Sequence, residues 1–167
     1  MADPRSSKTE AHVDDRVRGM LDTEHVTKLT LSSIAIHCSI SRRTLQSHWR
    51  NVPMVIRGCF SRFYEPMTVS VTATDASERL EQALLHIRTT LDSHLTRAAI
   101  FVADETGESR RFVFELWRRE LGVLVRSFTI EEFVELVGPM TMGMLVFGQV
   151  PTSATVRRSV IAAQARR

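Results

Sequence analysis

Arg42, Arg43, Gln46 and Ser47 stand close together in the run TLSSIAIHCSISRRTLQSHW, residues 30–49 of a 167-residue chain. A guanidinium pairs in bidentate fashion with guanine or with a phosphate, a glutamine amide does the same with adenine, and a serine hydroxyl serves either. The chemistry on offer is recognition of duplex DNA. These four residues are assigned to base and groove contacts, while Lys28, Thr30, Thr44 and His48 are expected to hold phosphates around them.

Side chains of this kind reach base edges only when a helix carries them into the major groove. Two short helical patterns meet here across a three-residue turn. Thr30 is placed to cap a helix running through Ile34, Ala35 and Ile36, and Ser41 to cap the next, each hydroxyl accepting from an unpaired backbone N–H of the first turn. Cys38, Ser39 and Ile40 make the turn. In the second helix Leu45 and Trp49 are four apart and share one face, so Arg42, Arg43, Gln46 and Ser47 point elsewhere. This is the pattern of a helix-turn-helix.

Charge is distributed to match. From His25 to Tyr64 the basic residues are Lys28, Arg42, Arg43, Arg50, Arg57 and Arg62, with no Asp or Glu. The segment is +6 with histidines neutral, so the remainder of a +3 chain is −3. One region carries the electrostatic footprint of a phosphate binder; the rest is an ordinary globular surface.

The segment resembles the DNA-binding region of the tetracycline-repressor-like (TetR) transcriptional regulators, through Thr30, Leu31, Ile34, Ala35, Ile40, Ser41, Thr44, Leu45, His48 and Trp49. The likeness covers roughly residues 13–64; beyond them only the helical layout and length are similar. Four positions depart from the family pattern: Ser39 and Val26 stand where glycine is usual, Gln46 where an aromatic is usual, and Val52 where lysine is usual. The resemblance implies a regulator, expected to be a repressor, that binds a near-palindromic operator as a homodimer. A small-molecule effector in the helical body would release the DNA, through a coupling of roughly 1–3 kcal/mol. The alternative reading is a dimeric helical protein whose degenerate helix-turn-helix serves a protein partner.

The elements that must position this site are read as all-α: a three-helix head carrying the helix-turn-helix, plus a helical ligand-binding and dimerisation body. Residues 1–12 are polar and read as a flexible tail, 13–50 as the DNA-binding head and 51–167 as the body. A first helix is expected over Val13 to His25, and a fourth from Asn51, with Pro53 in its first turn, to Pro66. The β-branched run MTVSVTATDAS is read as a loop for want of a partner strand. Asp75 is placed to cap a fifth helix with a Leu80, Leu84, Ile87, Leu91 stripe. A short sixth ends near Gly107, a seventh spans about Glu108 to Phe128, and an eighth spans Ile130 to Gln149. Residues 151–167 read equally as a short helix or a basic tail.

Helices seven and eight are too apolar for the surface of a monomer, which points to a homodimer through Leu121, Leu124, Val134, Val137 and Leu145. Candidate effector contacts are His86 and His94, taken to share a helix face, with Trp117, Met140 and Met144. Cys38 and Cys59 have no metal-ligand spacing and are read as small buried hydrophobes. No Gly-rich phosphate loop, nucleophile elbow or His and acid cluster is present, so neither an enzyme, a cofactor nor a metal is expected. With 43% hydrophobic and 25% charged residues the chain is ordinary for a globular protein. It lacks a long apolar run or a signal-peptide core, which points to the cytoplasm and to no membrane partner.

Overall fold

The structure is a computed structural model that describes residues 4–68, 73, 75–102 and 105–164. Those residues form nine α-helices and one 3-10 turn, with no strand among them: α1 (Pro4–Leu21), the turn Val26–Lys28, α2 (Leu31–His37), α3 (Arg42–His48), α4 (Val52–Phe63), α5 (Ala76–Asp92), α6 (His94–Phe101), α7 (Glu108–Leu124), α8 (Ile130–Phe147) and α9 (Ser153–Gln164). The all-α class is as the sequence suggests. Among the described residues no helix is long and apolar enough to cross a membrane.

Two compact units divide the chain, one of Met1–Tyr64 with His94–Val113, the other of Glu65–Ser93 with Phe114–Arg167. The division is not linear. In the first unit α1 packs on α4, α6 and α2, α4 packs on α6, and α2 packs on α3. The head expected to end at residue 50 therefore shares its core with α4 and α6. In the second unit α5, α8 and α9 pack on one another.

α1 begins at Pro4, so most of the segment expected to be a flexible tail is helical. Proline suits a first turn, where its missing N–H has no partner to lose. Tertiary contacts hold the added turns: an imidazole nitrogen of His12 lies 3.0 Å from the Cys38 carbonyl, and Glu10 Oε1 lies 3.4 Å from His48 Nδ1. α1 buries Val13, Val17, Met20 and Leu21, the expected stripe, but ends four residues short of His25; Glu24 is exposed. The residues that do bury between Val13 and Val17 include Asp14, which no hydrophobic pattern marks.

Local signals set the other helix starts. Thr30 and Ser33 form a reciprocal capping box on α2, and Ser41 Oγ accepts from Thr44 N at 2.9 Å on α3. Asn51 caps α4 with proline in the first turn, and Asp75 accepts from Glu78 N at 2.8 Å on α5. Thr129 and Glu132 form a second capping box on α8. That helix closes on Gly148, whose left-handed φ of 63° costs a glycine little, and it carries Pro139 in its interior. Of the β-branched run, Met67, Thr68 and Ala73 are neither helix nor strand; residues 69–72 and 74 lie outside the described residues. Residues 153–164 resolve the open choice at the chain's end in favour of a helix.

Ser39 has φ 55°, in the left-handed region that the departure from glycine at this turn implies. A Cβ makes that conformation unfavourable by roughly 1 kcal/mol. Ser39→Gly is therefore expected to raise stability by about 0.5–1 kcal/mol, seen as a higher urea midpoint at unchanged m-value.

Candidate nucleic-acid interface

The geometry of the first unit separates what supports α3 from what α3 presents. Leu45 is fully buried and Trp49, which caps the helix end, is 6% exposed. They rest on a core that includes Ile34, Val13 and Val17, all without exposed surface. On the other side Arg42, Arg43, Thr44, Gln46 and Ser47 are all exposed. Residues 42 and 46, and 43 and 47, form two adjacent rows at four-residue spacing. The side chains of Arg42 and Arg43 make no ion pair or hydrogen bond, and the same holds for the side chains of Gln46, Lys28 and Arg50.

Hydroxyls around the helix are more committed. Thr30 Oγ1 accepts from Ser33 N at 3.0 Å and donates to Ser33 Oγ at 3.2 Å. Thr44 Oγ1 lies 2.7 Å from Ser41 Oγ, and Ser47 Oγ donates to the Thr44 carbonyl at 2.7 Å. A phosphate oxygen needs a donor, so Ser47 is better placed to accept from a base amino group than to hold the backbone. His48 is half-buried, its ring tilted against Trp49 and facing Glu10. Its imidazole meets a protein carboxylate where the sequence suggested a phosphate contact.

The basic residues also sort themselves. Arg57 pairs with Glu108 at 3.4 Å, and Arg62 leans over the Phe63 ring with Arg18 above the same ring. Lys28, Arg42, Arg43 and Arg50 remain as the available cations. Arg50 is absent from the residues the motif points to, because it lies past Trp49, outside α3. Its exposure adds it to the candidate phosphate set. Cys38 and Cys59 are buried, and burial pushes both thiols up, Cys59 to about 12, which keeps them neutral and unreactive.

Candidate effector residues are scattered. His94 begins α6 in the first unit and lies 3.5 Å from Asp22, whereas His86 belongs to α5 in the second and its Nε2 lies 3.1 Å from the Glu65 carbonyl. They share no helix face, because Ser93 ends α5 between them. Trp117, Met140 and Met144 are buried in the second unit, where Phe114 stands 5.8 Å from Trp117 and 6.4 Å from Phe133, ring centre to ring centre. Trp117 Nε1 is buried without a hydrogen-bond partner. A pocket of about 120 Å³ in the same unit is lined by Arg126, Glu132, Glu135, Leu136, Ser159, Ala162 and Ala163, none of which the sequence singles out. Arg126 and Glu132 close one side of it through a two-point ion pair of 2.9 and 3.3 Å. Among the described residues no cluster of His, Cys, Asp or Glu is suited to a metal.

The proposed dimer residues need correction. Leu121 and Val137 are core, at 0% and 2% exposed, and Leu124 is half-buried; only Val134, at 57%, faces out. The Leu145 side chain lies outside the described residues. α8 instead presents Ile130, Val134, Met142 and Val146 at multiples of four residues, with Gly138 filling the gap in the series and exposed Phe147 beside its end. A helix apolar on nearly every side has little periodic contrast, so sequence alone does not show which stripe is left uncovered. No family model and no curated protein matches this chain.

Proposed function

We propose that the protein is a DNA-binding transcriptional regulator of the tetracycline-repressor type, a repressor that binds a near-palindromic operator as a homodimer and lets go when a small molecule binds its helical body. The observation that carries this reading is the exposed, unpaired Arg42, Arg43 and Gln46 on a helix anchored from beneath by Leu45 and Trp49. A capped, rigidly backed helix with free guanidinium and amide groups supplies what base reading in a major groove requires. Lys28, in the turn before α2, and Arg50, just past α3, are exposed and supply charge for phosphates. The apolar stripe of α8 supplies a self-complementary surface for a two-fold partner, and two heads related in that way read the two halves of a palindrome.

The test is selection of bound sites from random duplex DNA, followed by titration of the selected site. Arg43→Ala and Gln46→Ala are each expected to weaken specific binding by about 1–3 kcal/mol, roughly fivefold to 150-fold, and to relax preference at one base position. Lys28→Ala and Arg50→Ala should weaken all sequences alike and flatten the salt dependence by about one counterion each. Unchanged binding in Arg43→Ala and Gln46→Ala would remove the recognition-helix assignment. One feature favours the protein-partner reading: Ile36, at the end of α2, is 79% exposed. That reading gains if no duplex is selected.

A further inference from the structure

The seam between α1 and α4 holds a carboxyl that DNA recognition leaves unused. Asp14 is 5% exposed, between Val13 and Val17 on the buried side of α1, and its Oδ1 has no hydrogen-bond partner. From α4, the Cys59 thiol donates to the Asp14 backbone carbonyl at 3.3 Å. One residue earlier, Gly58 leaves a hollow: a Cβ there would lie 3.3 Å from the Trp49 indole nitrogen and 4.0 Å from Asp14 Oδ1. Trp49 is the residue on which the recognition helix ends. A buried, unsatisfied acceptor thus meets the α1–α4 seam and the foot of α3 in one place.

The charges around it do not cancel the cost of burying an anion. Burial is the largest influence and raises the carboxyl's pKa; Arg62 on α4 opposes it, while Glu10 and Asp15 on α1 reinforce it. Asp14 is pushed up to about 6. His48, at the end of α3, reaches this group of charges through Glu10. On the other helices packed against α1, His37 of α2 is exposed and His94 of α6 pairs with Asp22 beyond the end of α1.

We infer that Asp14 is a proton-operated brace for the recognition helix: protonated, it lets α1, α4 and Trp49 close on one another, and ionised, it drives the seam to admit water or to draw in the Trp49 indole N–H. Because the folded carboxyl holds its proton more tightly than an unfolded one, its stabilising contribution is complete below the unfolded value of 3.8 and is lost as pH rises through about 6. The brace is a property of the first unit alone; its effect on operator affinity rests on the DNA-binding reading.

The experiment follows the two indole N–H signals of the 15N-labelled full chain from about pH 8 to about pH 5, with Trp49→Phe identifying which is which. The Trp49 signal is expected to move with a midpoint at about 6, and the Trp117 signal to stay still. Asp14→Asn should abolish the movement and give a higher urea midpoint than the parent at neutral pH. Arg62→Gln should raise the titration midpoint, and this variant decides the matter if Asp14→Asn does not fold. A Trp49 titration that persists unchanged in Asp14→Asn would arise from another group and overturn the brace; so would a midpoint indifferent to Arg62→Gln, or no titration at all. A selected duplex added to the same samples should bind the parent more weakly above the midpoint than below it, and Asp14→Asn with a smaller loss. If the indole follows Asp14 but no duplex binds, the brace stands and the DNA reading falls. If duplex binds and the indole ignores Asp14, the reverse holds.

Discussion

Leu45→Ala is expected to cost about 2–5 kcal/mol of stability and to abolish operator binding together with the fold of the head. Leu45 has no exposed surface and is the one fully buried side chain of a seven-residue helix. Its removal leaves a cavity that the short α3 cannot fill from its own sequence, since the neighbouring positions are Arg, Thr, Gln and Ser. Marginal stability makes this loss a large share of the total. The comparison with Arg43→Ala is what gives the experiment its force. Both variants should weaken the proposed DNA binding, but only Leu45→Ala should also lower the urea midpoint and weaken the amide protection of α2 and α3. If Leu45→Ala kept full stability, Leu45 would not anchor the helix and the orientation of Arg42 and Arg43 would lose its support.

Val134→Glu is expected to convert the proposed dimer into a single chain, a loss of about 3–5 kcal/mol in association, read by sedimentation at matched concentration. Val134 is 57% exposed, the second position of the Ile130 to Val146 stripe. At an isologous contact each substitution appears twice, so two carboxylates would be buried without partners. Operator binding should then fall steeply while binding to a half-site is retained. The companion change Leu121→Ala, within the core of the second unit, should lower stability before it alters assembly. An unchanged sedimentation coefficient in Val134→Glu would take the dimer away from this face of α8.

What the sequence makes legible follows from the range of the forces involved. Caps at Thr30, Ser41, Asn51 and Asp75 depend on atoms three residues away, so the side-chain type and its spacing are enough. The Leu80, Leu84, Ile87, Leu91 stripe is legible for the same reason: charged neighbours set its period against a polar face, and all four are buried. The α1 extension escaped because Lys8, Glu10 and His12 have no apolar rhythm; what holds His12 and Glu10 is a carbonyl from residue 38 and an imidazole from residue 48. The separation of His86 from His94 turns on Ser93, whose extended backbone ends one helix before the next begins, and a periodicity count runs straight through it. The burial of Asp14 was illegible for a different reason. A carboxylate is assigned to the surface unless its partners are known, and here the decisive features are a missing side chain at Gly58 and an indole from another helix. Within the candidate site, α3's presented and anchoring faces were legible from Leu45 and Trp49, whereas the commitments of Thr30, Ser47 and His48 to neighbouring groups required coordinates.

Pro139 gives the exposed stripe of α8 a mechanical character that the spacing of its side chains does not reveal. With no amide hydrogen to contribute at that position, the helix loses one rung of its internal ladder between Val134 and Met142. Bending stiffness is lowest where a rung is missing. The stripe therefore behaves as two short apolar segments joined at a compliant point, able to change curvature as it settles against an opposing surface.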